Sequence, residues 1–144
     1  MKQLITQIEI NAAPEKIWTI LTDFANYKNW NPFVKELTGN VKVGETIQVM
    51  LQPPGSNAMK FTPVVVSFEK NQGFSWKGKL FIGGLFDGEH IFELKPINEH
   101  KTLFVQRENF SGILIPFLGK MIDTTTRQGF EAMNTKLKEL VEKS

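Results

Sequence analysis

No cysteine occurs among the 144 residues, which excludes disulfides and thiolate metal sites and fits a reducing compartment. Charge of one sign is scarce: the net charge is +2 and no run of five basic residues appears, so no nucleic-acid partner is expected. Long hydrophobic runs are missing as well. The start, MKQLITQIEINAAPEK, is broken by Thr6, Gln7 and Glu9, so it reads as neither a secretory leader nor a membrane span. GILIPFLG (112–119) is too short to cross a bilayer. These features predict a cytoplasmic protein without stable membrane insertion. Two histidines, His90 and His100, stand ten residues apart with no H-E-x-x-H pattern, so no zinc site is expected. The glycines form neither a P-loop nor a dinucleotide fingerprint, and the run PGSN lacks a nucleophile-elbow context. No cofactor is expected.

What the chain does have is 12 phenylalanines and 3 tryptophans against 1 tyrosine, rings with little hydrogen-bonding capacity that suit a dry interior. Its length predicts one domain over 1–144 with a sizeable core. Residues 2–11 alternate as a strand, with Leu4, Thr6, Ile8 and Ile10 in one phase. A helix follows, with Pro14 in its first turn and Ile17, Trp18, Ile20, Leu21 and Phe24 as its apolar stripe. It fails near Pro32, with a short second helical turn before Trp30. From about residue 40 the period becomes two, predicting strands near 46–52, 59–70, 73–81, 86–96 and 101–111 separated by turn-forming residues. Pro63 inside the second of these implies a bulge or an edge position. Beyond Pro116 apolar residues return at three- and four-residue spacing, including Met121, Thr125, Gly129, Met133 and Leu137, for a helix of about 25 residues. The fold class is α+β: an antiparallel meander curled around a long C-terminal helix, with one or two short helices after the first strand.

That order, with particular residues, resembles the START-like or SRPBCC superfamily, the polyketide cyclase/dehydrase and lipid-transport group with the helix-grip fold. The matching blocks are IxAAPEKIW (10–18), LTDFANYKNWNPFV (21–34), FDGEHIFEL (86–94), TLFVQRENFSG (102–112) and GFEAMNTKLK (129–138). The resemblance spans almost the whole chain. It implies a curved antiparallel sheet gripping the C-terminal helix, with a cavity between them for hydrophobic small molecules, and no reaction common to all members. Relatives often have histidine where this chain has Gln106, so no acid–base role carries over to that position.

The stretch FDGEHIFELKP (86–96) puts His90 in phase with Phe92 and Leu94, on the face that should be buried. In 101–111 the phase Thr102, Phe104, Gln106, Glu108, Phe110 is predicted to face inward, since it holds both phenylalanines and leaves Arg107 and Asn109 to water. If an odd number of residues follows Pro96 in the turn, His90 lies opposite Glu108 and Phe92 opposite Gln106; a two-residue turn pairs His90 with Arg107 instead. An inward Glu108 beside His90 reads as a polar anchor, as a proton donor, or as a self-satisfied pair that pins two strands. Trp30, Phe61, Trp76, Phe81, Phe92, Phe104, Phe110 and Phe117 serve either as core or as walls of a cavity of roughly 300–1,000 Å³, with Met121 and Thr125 contributed by the helix. Gly129 either leaves room for a ligand or admits a bulky strand residue such as tryptophan. The tip FIGGLFDG (81–88), opposite GILIPFLG, is expected at the cavity mouth, a site of ligand entry, membrane-surface docking or a homodimer contact. Binding or carriage of a small hydrophobic or aromatic molecule leads the functional readings. A cofactor-free cyclase or dehydratase using Glu108 or His90 as acid or base, and a protein-interaction module, are the alternatives.

Overall fold

The structure, a computed structural model, describes residues 1–79 and 83–144. Strand β1 (Lys2–Ile10) leads into α1 (Pro14–Leu21), a single 3₁₀ turn (Phe24–Asn26) and α2 (Tyr27–Trp30). Asn31 then turns the chain: its Oδ1 accepts from the backbone N–H groups of Phe33 and Val34 at 3.0 and 2.9 Å. Strands β2 (Val34–Thr38), β3 (Gln48–Leu51), β4 (Met59–Phe61), β5 (Val64–Glu69), β6 (Gly73–Lys79), β7 (Asp87–Asn98) and β8 (Lys101–Ser111) follow.

Five strands form an antiparallel sheet in the order β1-β8-β7-β6-β5, and β2-β3-β4 form a smaller sheet. The two are linked where Thr46 bridges Val64 and the Ile47 N–H donates to the Pro63 carbonyl at 2.9 Å. Pro63 divides the predicted 59–70 strand, so that β4 belongs to the small sheet and β5 to the large one. Its missing donor and fixed φ favour such a break. Strand β2 lies outside the predicted strands, because the two-residue period is legible only from about residue 40, whereas Val34 and Leu37 are buried at a three-residue spacing across a bulge.

The C-terminal helix runs as α3 (Ile115–Met121), a π-helical turn (Ile122–Thr126) and α4 (Arg127–Lys143). Its buried face in α4 is Gly129, Phe130, Met133, Asn134, Leu137 and Val141, which adds Phe130, Asn134 and Val141 to the expected stripe. Phe130 packs edge-on to Phe33 with centroids 5.4 Å apart. Phe74, Phe92 and Trp76 extend the same core along the sheet.

Gly129 accepts a close neighbour, though the ring is Phe33 and not tryptophan: a β-carbon at Gly129 would overlap Phe33, lying 2.7 Å from its Cε1. Alanine in an exposed helix site gains about 1 kcal/mol over glycine. Here Gly129→Ala is expected instead to destabilise by about 1–3 kcal/mol through overpacking. Urea denaturation checks this, with Phe33→Leu restoring most of the loss; a more stable single variant contradicts it.

Candidate functional site

The turn after β7 settles the register. Glu99 and His100 form a two-residue turn, but a bulge between Pro96 and Asn98 adds one residue to β7. The count from Pro96 to its partner Thr102 is therefore odd, and His90 pairs with Glu108, Phe92 with Gln106. In β8, Thr102, Phe104, Gln106 and Phe110 are buried. Arg107, on the other face, meets Glu93 at 2.8 Å.

At the centre of the sheet a buried polar chain crosses from β1 to the helix and back. The Thr6 hydroxyl donates to the Gln106 backbone carbonyl at 2.8 Å and accepts from Asn134 Nδ2 at 2.9 Å. Asn134 Oδ1 therefore faces Gln106, whose Nε2 donates to it at 2.7 Å and to the Phe130 carbonyl at 3.3 Å. Gln106 Oε1 is left to accept from His90 Nε2 at 2.9 Å. The two backbone carbonyls are fixed acceptors, so the direction of every bond in the chain is fixed. His90 carries its proton on Nε2, and Nδ1 presents a lone pair. The imidazole is clamped between Phe92 and Phe130, with centroids at 4.3 and 4.7 Å.

Nδ1 faces Glu108 Oε1 at 3.8 Å, beyond hydrogen-bond reach. This contact is not an ion pair. Burial pushes His90 down to about 3, against the raising effect of the Gln106 bond, and burial pushes Glu108 up to about 8. At pH 7 His90 is neutral and Glu108, whose side chain keeps 16% exposure at the cavity, is predominantly protonated, because two desolvated charges cost more than their attraction returns at this separation. The Glu108 carboxyl makes no side-chain hydrogen bond among the described residues.

The carboxyl occupies space opened by Gly88. A β-carbon there would overlap Oε2 and stand 3.2 Å from Cδ of Glu108. Gly88 pairs with Gly78 across β6 and β7, and both glycines lie in the inward phase, next to His90 and Trp76. Both glycines lie on the lining of a cavity of about 130 Å³. Val49, Leu51, Phe61, Trp76, Phe86 and Phe110 give it apolar walls, and Met121 at the end of α3 and Thr125 and Thr126 in the π-helical turn close it. His90 and Glu108 form its polar corner. A single π turn places Thr125 and Thr126 together on the cavity, a local widening of the helix of the kind found at functional sites.

Among the predicted residues, Phe61, Trp76, His90, Glu108, Phe110, Met121 and Thr125 meet around this cavity. Others do not. Gln106 is buried behind His90 as its partner. Phe92 and Phe104 are solid core, and Trp30 packs on Tyr27 with centroids 5.3 Å apart. Phe117 is 82% exposed, on the outer side of α3. Phe81 lies outside the described residues, as do Leu80 and Ile82, so the expected mouth at 81–88 is described only from Gly83 onward. The cavity is also smaller than expected, because Phe33, Phe92 and Phe130 fill the middle of the sheet–helix space and confine the opening to one end. Missed by the sequence reading were Gly78 and Gly88, whose signal was glycine at an inward strand position, and Asn134, an amide one turn from Phe130 and Leu137. No group of three or more His, Cys, Asp or Glu residues suited to a metal occurs among the described residues.

Comparison with known proteins agrees with this architecture. The family described as polyketide cyclase / dehydrase and lipid transport matches residues 1–142. The Zhui aromatase/cyclase from Streptomyces sp. R1128 superposes with a TM-score of 0.78 at 11% identity, covering 99% of this chain and 94% of that one. A START superfamily protein from Mycobacterium smegmatis gives 0.69 at 20% identity over 96% and 98%. The protein TTHA0849 from Thermus thermophilus gives 0.75 at 16% over 99% and 98%. At these identities the likeness is one of fold. No curated protein sequence matches.

Proposed function

The chain belongs to the polyketide cyclase / dehydrase and lipid transport family, and from that premise we propose that it binds a small hydrophobic ring, or the ring end of a longer molecule, in the cavity beside His90 and Glu108. The observation that carries this reading is the cavity itself: mostly aromatic and aliphatic walls, with His90 and Glu108 as a neutral acceptor and donor at one corner and Ser56, Lys79, Thr125 and Thr126 also on the lining. Binding pockets combine apolar lining with a few placed polar groups in this way. The free space of about 130 Å³ is close to that of cavities known to hold benzene, about 150 Å³, so a single ring is the natural occupant. Among the described residues no helix is long and apolar enough to cross a membrane.

Native mass spectrometry of freshly purified protein is expected to show a small-molecule adduct. Toluene is expected to bind saturably, and to shift the emission of Trp76, the one tryptophan on the cavity wall. Gly78→Leu, which builds a side chain from the wall, is expected to lose at least tenfold in toluene affinity. If neither adduct nor saturable binding is seen, the proposal fails.

One observation favours a second reading. Burial separates the proton affinities of His90 and Glu108 in opposite directions, as in sites that assign acid and base roles to neighbouring groups. Acid catalysis by Glu108 on a bound ring is the enzymatic form of the same site. It predicts that Glu108→Gln abolishes turnover while ligand affinity stays within a few-fold.

A further inference from the structure

The polar corner of the cavity has an order that selects one functional group, and we propose that it recognises a neutral hydroxyl on a small ring, a phenol-class ligand. This rests on the binding reading above and narrows it. The fixed direction of the Thr6–Asn134–Gln106 chain leaves His90 Nδ1 as an acceptor only. Glu108, kept neutral by burial, holds one O–H donor and retains acceptor capacity. With 3.8 Å between Nδ1 and Oε1, the two are not bonded to each other, and one oxygen set beside them reaches both at ordinary hydrogen-bond length.

The group that completes the pair must donate to Nδ1 and accept from the carboxyl. A hydroxyl does both with one atom. A methoxy oxygen lacks the donor. A carboxylate lacks it too, and its charge would be desolvated with only Lys79 on the lining to offset it. Water meets the same two bonds, so the hydroxyl's advantage lies in carrying its ring against Phe61, Trp76 and Phe110 while replacing a water bond for bond. Gly88 is part of the device, since any side chain there displaces the carboxyl from the cavity corner.

Isothermal titration at pH 6.5 with phenol, anisole, toluene and benzoate tests this. Phenol is expected to bind at least tenfold tighter than anisole or toluene, with benzoate unbound. Glu108→Leu is expected to bring the phenol-to-toluene ratio within twofold while toluene still binds. Gly88→Ala, whose backbone lies outside the left-handed region, is expected to do the same by moving the carboxyl, and serves if Glu108→Leu does not fold. Equal binding of phenol and toluene to the unaltered protein overturns the hydroxyl assignment and leaves the apolar cavity standing. So does a phenol preference that survives in whichever of the variants folds. If none of the four binds, the cavity reading and this one fall together.

Discussion

Gln106→Leu is expected to destabilise the protein by about 2–6 kcal/mol, a large share of the roughly 5–15 kcal/mol that holds an ordinary domain folded. The side chain joins β8 to β7 and to α4 through three bonds, to His90, Asn134 and the Phe130 carbonyl. Phe130's carbonyl sits inside α4, where a backbone partner remains. His90 Nε2–H and Asn134 Oδ1 have no such substitute and are buried. Each orphaned buried group costs about 1–3 kcal/mol, which sets the range. Chemical denaturation measures the loss. The pair of substitutions Gln106→Leu and Asn134→Leu should cost less than the sum of the two alone, because residues in one network are coupled. Additivity would show that the chain contributes nothing as a unit. Loss of the His90 Nε2–H resonance, or its exchange between the two ring nitrogens, is the accompanying spectroscopic sign.

Glu108→Gln is expected to change stability by an amount that depends on pH, in the variant's favour as pH rises. In the folded protein the Glu108 carboxyl holds its proton up to about 8, against 4.5 for an unperturbed group. Between those values the folded state binds one more proton than the unfolded state, so raising pH destabilises the native protein by about 1.4 kcal/mol per pH unit. His90 works in the other direction. Folded, it stays neutral down to about 3, against 6.5 unperturbed, so its contribution is complete above pH 6.5 and is lost as pH falls toward 3. Over pH 4.5–6.5 the two slopes oppose each other, and the pair's contribution is flat. From pH 6.5 to 8 only Glu108 acts, and about 2 kcal/mol is lost.

His90 from β7 faces Glu108, and Lys79 at the end of β6 and Thr125 and Thr126 from the helix line the same cavity. Its strand neighbours Arg107 and Asn109 are engaged elsewhere, with Glu93 and Gln3. Glutamine mimics the protonated acid and does not titrate, so the variant gains on the unaltered protein by about 4–5 kcal/mol as pH rises from 4.5 to 8. Denaturation midpoints across that range read it directly. A stability difference independent of pH would mean that Glu108 is ionised in the folded protein, and the donor role at the cavity corner would be lost with it.

Alternation in β1, β7 and β8, the stripe of the C-terminal helix and the proline boundaries were legible in the chain, because a side chain's face follows from local geometry alone. The same rule placed Gln106 and Glu108 inward and offered His90 opposite Glu108 as one of two registers. Choosing between those registers required a bulge at 97, and no local pattern announces it. Periodicity says which face a residue occupies; it does not say how far that face stands from the one opposite, or what volume other segments bring there. That is why Phe92, Phe104 and Trp30 were indistinguishable from cavity walls until Phe33, arriving from a distant turn, was seen to fill the middle of the interior. The solvent side of Phe117 was hidden for a related reason, since the π-helical turn rephases the helix between α3 and α4. The sequence by itself determined β1, β6, β7 and β8, the gripping helix and the inward polar residues of the sheet. Only the tertiary structure decided the size of the cavity and the tautomer of His90, since both depend on atoms that β1, the turn at Phe33, the sheet and α4 place together from far along the chain.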